Sequence, residues 1–181
     1  MIRERAEHQK QEKAIPKGVA KFIVKAVVIF ITWQLLYHLI LQPSGIPDKA
    51  LTQMVLSGTV QMLSVFYSSV QQVGNSILIG GRPSINIEDA CNGLELIALY
   101  LGYIILLPGN WKRMASYILI GVVAIYLLNI VRCSLLAYLF QHDISTANFA
   151  HKYAFKLVVY GFVFAGWMSY SKNLKNVAAK N

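Results

Sequence analysis

Residues 114–140 read MASYILIGVVAIYLLNIVRCSLLAYLF, and this run of 27 residues contains a single charged side chain, Arg132. A helix of roughly 20 apolar residues crosses the hydrocarbon core of a bilayer, which is about 30 Å thick. The run therefore predicts a transmembrane helix that is longer than the bilayer requires. Lys112 and Arg113 stand directly before it and predict that this end lies at the cytoplasmic surface.

The rest of the chain has the same character. It has 181 residues, of which 56% are hydrophobic and only 14% are charged. An average soluble domain carries about 25% charged residues, and here the apolar residues come in long blocks instead of alternating with polar ones. The sequence therefore predicts an all-α polytopic membrane protein with a single transmembrane domain.

The formal net charge of +9 indicates membrane orientation and not nucleic-acid binding. Basic residues cluster ahead of the first apolar block, in the turn at Lys112 and Arg113, and in the C-terminal tail. These are the places that the positive-inside rule favours. We expect a cytoplasmic basic arm at residues 1–21, a transmembrane domain at residues 22–171 and a cytoplasmic basic tail at residues 172–181. Since no small-residue cleavage site follows the first apolar block, we interpret that block as a retained anchor.

Four spans are predicted, with both termini on the cytoplasmic side and no internal repeat. The stretch QPSGIPD at residues 42–48 ends the first helix, because two prolines and a glycine interrupt it. Residues 142–152 are predicted as an outer loop. The spans are residues 22–41, 93–107, 114–140 and 153–170.

Residues 50–73 carry no charge and would pass for a fifth span. Two features argue against a crossing. Polar residues recur every three or four positions and form one stripe on a helix, and a crossing here would put the later basic residues outside. We predict a helix on the outer side, in the interface or against the bundle. The stripe consists of Gln53, Ser57, Gln61, Ser64, Ser68 and Gln72.

Residues 76–90, SILIGGRPSINIEDA, place apolar residues on both sides of a Gly-Gly-Arg-Pro-Ser centre. This pattern predicts a short β-hairpin or an extended loop that leads into Cys91.

Three chemically capable side chains are predicted to share one layer of the membrane. Arg132 lies nineteen residues after Arg113, which is roughly 28 Å along a helix and close to the outer boundary. Cys91 and His151 each stand just before the outer end of a predicted span. A thiolate is a nucleophile that a neighbouring His or Arg favours, so the three residues indicate covalent chemistry. Asn129, one turn before Arg132 on the same face, would orient it or donate to substrate.

Each candidate also has a structural interpretation. Cys91 could be a small packing residue. Arg132 could bind lipid phosphates or form an ion pair with Glu95, although an arginine this deep in an apolar helix indicates function. His142 competes with His151 for the same role.

The second cysteine, Cys133, lies one residue after Arg132 and so faces about 100° away on a helix. We interpret Cys133 as a packing residue. The alternative is a disulfide between Cys91 and Cys133, which would remove the nucleophile.

The segments DACNGLE at residues 89–95 and NIVR at residues 129–132, with His151 ahead of the last span, resemble the exosortase/archaeosortase family, in a compact bacterial form. The resemblance implies a Cys91, Arg132 and His151 triad with Cys91 as the nucleophile. It also implies transpeptidase-like action on exported proteins with a C-terminal tail of short motif, transmembrane helix and basic end. We expect Asn92, Glu95 and Asn129 to bind substrate or to support the site.

The leading hypothesis is therefore a cysteine peptidase or transpeptidase of the bacterial inner membrane, with its active site on the outer face. Its partners would be those exported proteins and membrane lipids, without nucleic acid. We expect no cofactor, and no metal since the chain has no paired His, Cys or Asp spacing typical of zinc sites. The alternative is a non-enzymatic partner of lipid or export machinery in which Arg132 binds phosphate.

Overall fold

The computed structural model describes residues 17–107 and 109–178. This part of the chain is mostly helical, with one small antiparallel sheet between the second and third helices. The helix that begins at Lys17 continues through a π-helical segment, Tyr37–Leu41, and an α-helical turn, Gln42–Ser44. A second π-helical segment, Ala150–Ala154, joins the helix that ends at Phe149 to the helix that begins at Phe155. The elements are α1 Lys17–Leu36, α2 Ile46–Ser64, β1 Val70–Val73, β2 Ser76–Ile79, β3 Arg82–Asn86, α3 Leu94–Leu106, α4 Trp111–His142, α5 Ile144–Phe149 and α6 Phe155–Ala178.

Two helical stretches in the described residues are long and apolar enough to cross a membrane, Ile23–Ser44 and Trp111–His142. A shorter apolar helix covers Leu94–Leu106 and is about 20 Å long at 1.5 Å per residue. Large apolar side chains on α1, α4 and α6 are exposed, and none of the first stretch is buried. Exposed apolar surface of this extent is unfavourable in water, whereas it is favourable in contact with lipid. The count of four spans stays a prediction.

The break between α1 and α2 occurs at one residue. Gly45 has φ +62°, the left-handed conformation that favours glycine. Pro47 then stands in the first turn of α2, where its missing N–H costs no helical hydrogen bond.

Helix α2 ends earlier than the helix predicted at residues 50–73, so the predicted end of that helix is wrong. The helix ends at Ser64, and Val70–Val73 forms strand β1 instead. The segment VQQV pairs with SILI across a two-residue turn at Gly74 and Asn75, and pairing of this kind outweighs a weak helical pattern. Four residues of the predicted polar stripe, Gln53, Ser57, Gln61 and Ser64, lie on this helix and are exposed, whereas Ser68 and Gln72 come after its end. The buried face lies opposite the four. That face consists of Asp48, Thr52, Val55, Leu56, Thr59 and Leu63.

The sheet has the strand order β1-β2-β3, with both pairs antiparallel. The hairpin predicted within residues 76–90 is present as β2 and β3, joined by Gly80 and Gly81, and β1 adds a third strand. A register shift between Ile77 and Leu78 marks an irregularity in the second pair. The sheet buries Ile77, Ile79 and Ile87 against α2 and the C-terminal half of α4.

A second apolar core lies at the other end of the bundle, between α3, α4 and α6. Tyr100 and Ile104 from α3 meet Ile125 from α4 and Val163 from α6. The ring of Tyr100 fills the space above Gly121, where a Cβ atom would come within 2.1 Å of it. The two helices therefore approach closely because position 121 has no side chain.

Residues 142–152, predicted as an outer loop, are largely helical. The carboxylate of Asp143 accepts a hydrogen bond from the Ser145 N–H at 2.9 Å and caps α5. A cap of this kind starts a new helix directly after α4 ends. The segment from α5 through Ala150–Ala154 then runs without interruption into α6.

Candidate active site

Cys91 lies at the end of a 3₁₀ turn, Asp89–Cys91, that connects β3 to α3. Its N–H donates to the Glu88 carbonyl at 2.8 Å, and its side chain is half-buried with a free thiol. Gly93 follows with φ +91°, a conformation that other residues adopt at a cost. This turn places the sulfur at the mouth of α3.

The turn is held by a buried polar network around Asn92, which is 2% exposed. The Asn92 amide donates to the Asp48 carboxylate at 2.8 Å, and its oxygen accepts from the Leu94 N–H at 2.8 Å. Asp48 also accepts from the Tyr37 hydroxyl at 3.1 Å, and the Thr52 hydroxyl donates to Asp89 at 2.8 Å. The network thus connects α1 and α2 to the Cys91 turn.

Asp48, Thr52 and Tyr37 were not among the residues predicted for the site. Asp48 is the only acidic residue between positions 13 and 87, and an isolated acid among apolar segments is a signal that could have identified it. Thr52 and Tyr37 carry no comparable signal in the sequence.

Helix α4 brings Asn129 and Arg132 to the Cys91 turn. The buried Asn129 amide donates to the Cys91 carbonyl at 2.8 Å, and its oxygen accepts from Arg132 at 3.4 Å. A second guanidinium nitrogen of Arg132 lies 3.9 Å from the Cys91 sulfur. The Nε atom of Arg132 is buried and has no hydrogen-bond partner among the described residues. One turn of α4 therefore positions both a cation and an amide against the Cys91 turn.

Cys91, Arg132 and His151 line one cavity of about 260 Å³. They come from the β3–α3 connection, from α4 and from the π-helical segment before α6. His142 does not line this cavity and instead packs its ring 4.4 Å from that of Tyr138. The remaining walls are Ser84, Ile85, Asn86, Ile87, Cys133, Leu136 and Phe140.

The environment of His151 lowers the pKa of its imidazole below the ordinary 6.5, first through burial and then through the positive charges of Arg132, Lys156 and Lys152. Both effects disfavour the protonated ring. The neutral ring is the form that accepts a proton, so His151 is suited to act as a base at neutral pH.

The chain matches the transmembrane exosortase family (Exosortase_EpsH) over residues 16–170. The chain belongs to this family. No curated protein and no solved structure matches the chain. Exosortases are membrane proteins and generally cysteine-type transpeptidases, which agrees with a thiol, a guanidinium and an imidazole lining one cavity.

Within this exosortase, Glu95 stands apart from the three cavity residues. Its side chain is exposed and borders a second cavity, of about 490 Å³, which Arg132 also lines. The hydrogen bonds found for Arg132 in the described part of the chain go to Asn129 and Cys91. The alternative ion pair between Glu95 and Arg132 is therefore not formed.

The second cysteine of this exosortase, Cys133, is 3% exposed and packs in the apolar cluster beneath the sheet. Both Cys91 and Cys133 are free thiols. The alternative disulfide between them is therefore not formed, and the Cys91 sulfur faces the guanidinium of Arg132.

Proposed function

We propose that this exosortase is a cysteine peptidase or transpeptidase that uses Cys91 as nucleophile, His151 as proton carrier and Arg132 as electrostatic stabiliser. The observation that carries the proposal is the single cavity shared by these residues, with the guanidinium of Arg132 3.9 Å from the sulfur. A cation beside a thiol favours the thiolate, which is the nucleophilic form.

The first half of the reaction forms an acyl-enzyme. His151 takes the thiol proton, and the sulfur of Cys91 attacks the carbonyl carbon of the scissile peptide bond. The negative charge that develops on the carbonyl oxygen is stabilised by Arg132. The carbon–nitrogen bond then breaks as His151 returns the proton to the leaving amine, which leaves a thioester on Cys91.

The second half consumes the thioester. Water or an amine loses a proton to His151 and attacks the thioester carbon, and the sulfur leaves as thiolate and recovers the proton from His151. Hydrolysis follows if the acceptor is water, and transpeptidation follows if it is an amine. The second cavity, of about 490 Å³, is also lined by Arg132 and supplies a second approach to this residue.

The substrates we propose are exported proteins whose C-terminal tail has a short motif, a transmembrane helix and a basic end. The basic residues at positions 112 and 113 lie at the start of α4 and the cavity residues lie near its other end. By the positive-inside rule this arrangement supports a site on the outer face of the inner membrane, with both termini cytoplasmic. Residues 22–171 would form one domain, between a basic arm and a basic tail.

The test is the set of new protein C-termini that depend on the wild-type chain. Terminal proteomics of membrane and secreted fractions would compare a deletion strain complemented with wild type, Cys91→Ala or His151→Ala. We expect both variants to lose processing by on the order of 10³-fold or more, since residues that act as a unit fail together. The amount of each variant in the membrane should match wild type.

Cys133→Ala and His142→Ala are the matched controls, because each removes the same chemical group outside the proposed triad. Both should retain processing. Full processing in Cys91→Ala and His151→Ala would refute the peptidase mechanism. A phenotype for Arg132→Ala with a silent Cys91→Ser would instead support a non-enzymatic role in which Arg132 binds phosphate.

A further inference from the structure

Strand β3 is an edge strand of the sheet and also a wall of the candidate catalytic cavity. The strand order ends at β3. The cavity that contains Cys91 is lined by three residues of this strand, Ser84, Ile85 and Asn86, and by Ile87 directly after it. No other strand of the described residues contributes to this lining. The sheet therefore presents one of its two edges to the nucleophile.

Asn86 directs its backbone hydrogen-bonding groups away from the sheet. The N–H of Ile87 donates to the Asn75 carbonyl at 2.9 Å, and Ile85 pairs with Ile77 in β2. Successive residues of an antiparallel edge strand point their N–H and C=O groups alternately inward and outward. Within the described residues, the outward groups of Asn86 have no hydrogen-bond partner.

Helix α4 covers one end of this edge and leaves the other free. The hydroxyl of Ser84 donates to the Ala137 carbonyl at 2.9 Å, which attaches the start of β3 to α4. Asn86 is exposed and lies nearer in sequence to Cys91. Native proteins usually cover or block an open edge, because an open edge pairs with extended peptides.

We propose that the substrate segment carrying the scissile bond binds in extended form beside β3, as an added strand that pairs with the outward backbone groups of Asn86. The inference rests on the proposed function, since it concerns how the same site holds its substrate. Strand addition of this kind gives affinity through main-chain hydrogen bonds and specificity through alternate side chains.

The cavity defines the side chain that such a strand would place inward. Leu136 and Phe140 on α4 form the apolar wall opposite β3, and the charged or titratable groups in the lining are Arg132, His151 and the two thiols. At about 260 Å³ the cavity is smaller than most ligand pockets, which run from about 300 to 1,000 Å³. It therefore accepts an apolar side chain beside the scissile bond, while the rest of the segment lies along the exposed edge.

Two substitutions at position 86 separate the backbone from the side chain. Asn86→Pro removes the outward N–H, whereas Asn86→Ala keeps it and removes only the side chain, whose oxygen accepts from Ser76 at 3.3 Å. Gln72→Pro is the matched control, because it places a proline on the opposite edge strand, β1, which does not line the cavity. The readout is the rate at which an exported protein identified as Cys91-dependent acquires its processed C-terminus.

We expect Asn86→Pro to slow processing by about fivefold or more, the effect of losing one hydrogen bond of about 1 kcal/mol. Gln72→Pro should stay within about twofold of wild type, a change smaller than the loss of one such bond. Asn86→Ala keeps the backbone N–H and should therefore slow processing less than Asn86→Pro does. Labelling of Cys91 by a small maleimide should persist in all three variants, which shows that the Cys91 turn is intact.

Wild-type processing in Asn86→Pro would overturn the added strand, and so would an equal loss in Gln72→Pro or in Asn86→Ala. These outcomes leave the proposed function standing, because Cys91 would still be required. If instead no exported protein depends on Cys91, the proposed function itself fails.

Discussion

At the scale of single residues, Asn129 connects the two groups that the mechanism needs. Its amide donates to the Cys91 carbonyl and its oxygen accepts from Arg132, so both ends of the side chain have partners. Of the two roles predicted for Asn129, orienting Arg132 fits this geometry better than donating to substrate. The guanidinium of Arg132 contacts the Cys91 sulfur through one nitrogen, and its Nε–H has no hydrogen-bond partner among the described residues.

The pH dependence of processing should report His151. Burial and then the charges of Arg132, Lys156 and Lys152 lower the pKa of this imidazole, so the ring loses its proton at a lower pH than an ordinary histidine. The acid limb of the rate should therefore lie below pH 6.5. Lys156→Gln removes one positive charge, raises the pKa and moves the limb to higher pH.

This prediction is measurable in buffered cell suspensions, since the proposed site faces the external medium. Lys172→Gln, at the far end of α6, is the control and should leave the limb unchanged. An acid limb above pH 6.5 in the wild type, or one that Lys156→Gln moves to lower pH, would contradict the assignment of His151 as the base.

At the scale of secondary-structure elements, the Cys91 turn is connected to α2 more than to the helix it precedes. Asn92 contacts Asp48 across 44 residues of sequence, and Thr52 contacts Asp89 one turn further along α2. The side chains of Asp48, Thr52 and Asn92 are buried, where an unsatisfied polar group is costly. Helix α2 therefore holds the Cys91 turn in place.

Removing either member of the Asp48–Asn92 pair should destabilise the fold through the partner left behind. Asp48→Ala removes the carboxylate that accepts from the buried Asn92 amide and from the Tyr37 hydroxyl, which costs about 1–3 kcal/mol. The double variant Asp48→Ala/Asn92→Ala should lose less than the sum of the single losses, by about 1 kcal/mol or more. Unfolding in detergent, followed by circular dichroism, measures the three free energies.

Glu88→Ala is the control for this cycle, because Glu88 is exposed on the same connection and its loss should stay within about 0.5 kcal/mol. Strict additivity of the Asp48 and Asn92 effects would show that the two side chains do not support each other.

At the scale of the whole molecule, two apolar cores divide the bundle. One lies between the sheet, α2 and the end of α4, and the other lies between α3, α6 and the start of α4. Cys91 packs against the first core, and α4 passes through both. The site therefore sits at the sheet end, opposite the basic turn that begins α4.

The proposed orientation predicts which thiol is accessible and from which side. A membrane-impermeant maleimide added to intact cells should label Cys91, which is half-buried, and leave Cys133, which is 3% exposed, unlabelled. Cys133→Ala should retain the label and Cys91→Ala should lose it, as read by mass shift. Labelling that requires permeabilised cells would reverse the topology.

Much of the architecture was predictable because it depends on local patterns. Long apolar runs predict membrane helices, and the glycine pair Gly80–Gly81 within residues 76–90 favours a tight turn. The helix at residues 50–73 was predicted too long because pairing between VQQV and SILI is a contact between segments. The helical turn at residues 144–149 was missed because the predicted loop took no account of Asp143 as a cap.

By itself the sequence determined that the chain is a helical membrane protein of the transmembrane exosortase family, because run length, charge placement and short motifs are linear properties. Counting residues from Arg113 also predicts that Arg132 lies near the outer boundary of the membrane. Only the tertiary structure decided that His151 and not His142 borders the cavity with Cys91, that Glu95 does not line that cavity, and that Asp48 supports Asn92. These outcomes depend on the rotation and packing of helices, which the spacing of residues along one chain does not specify.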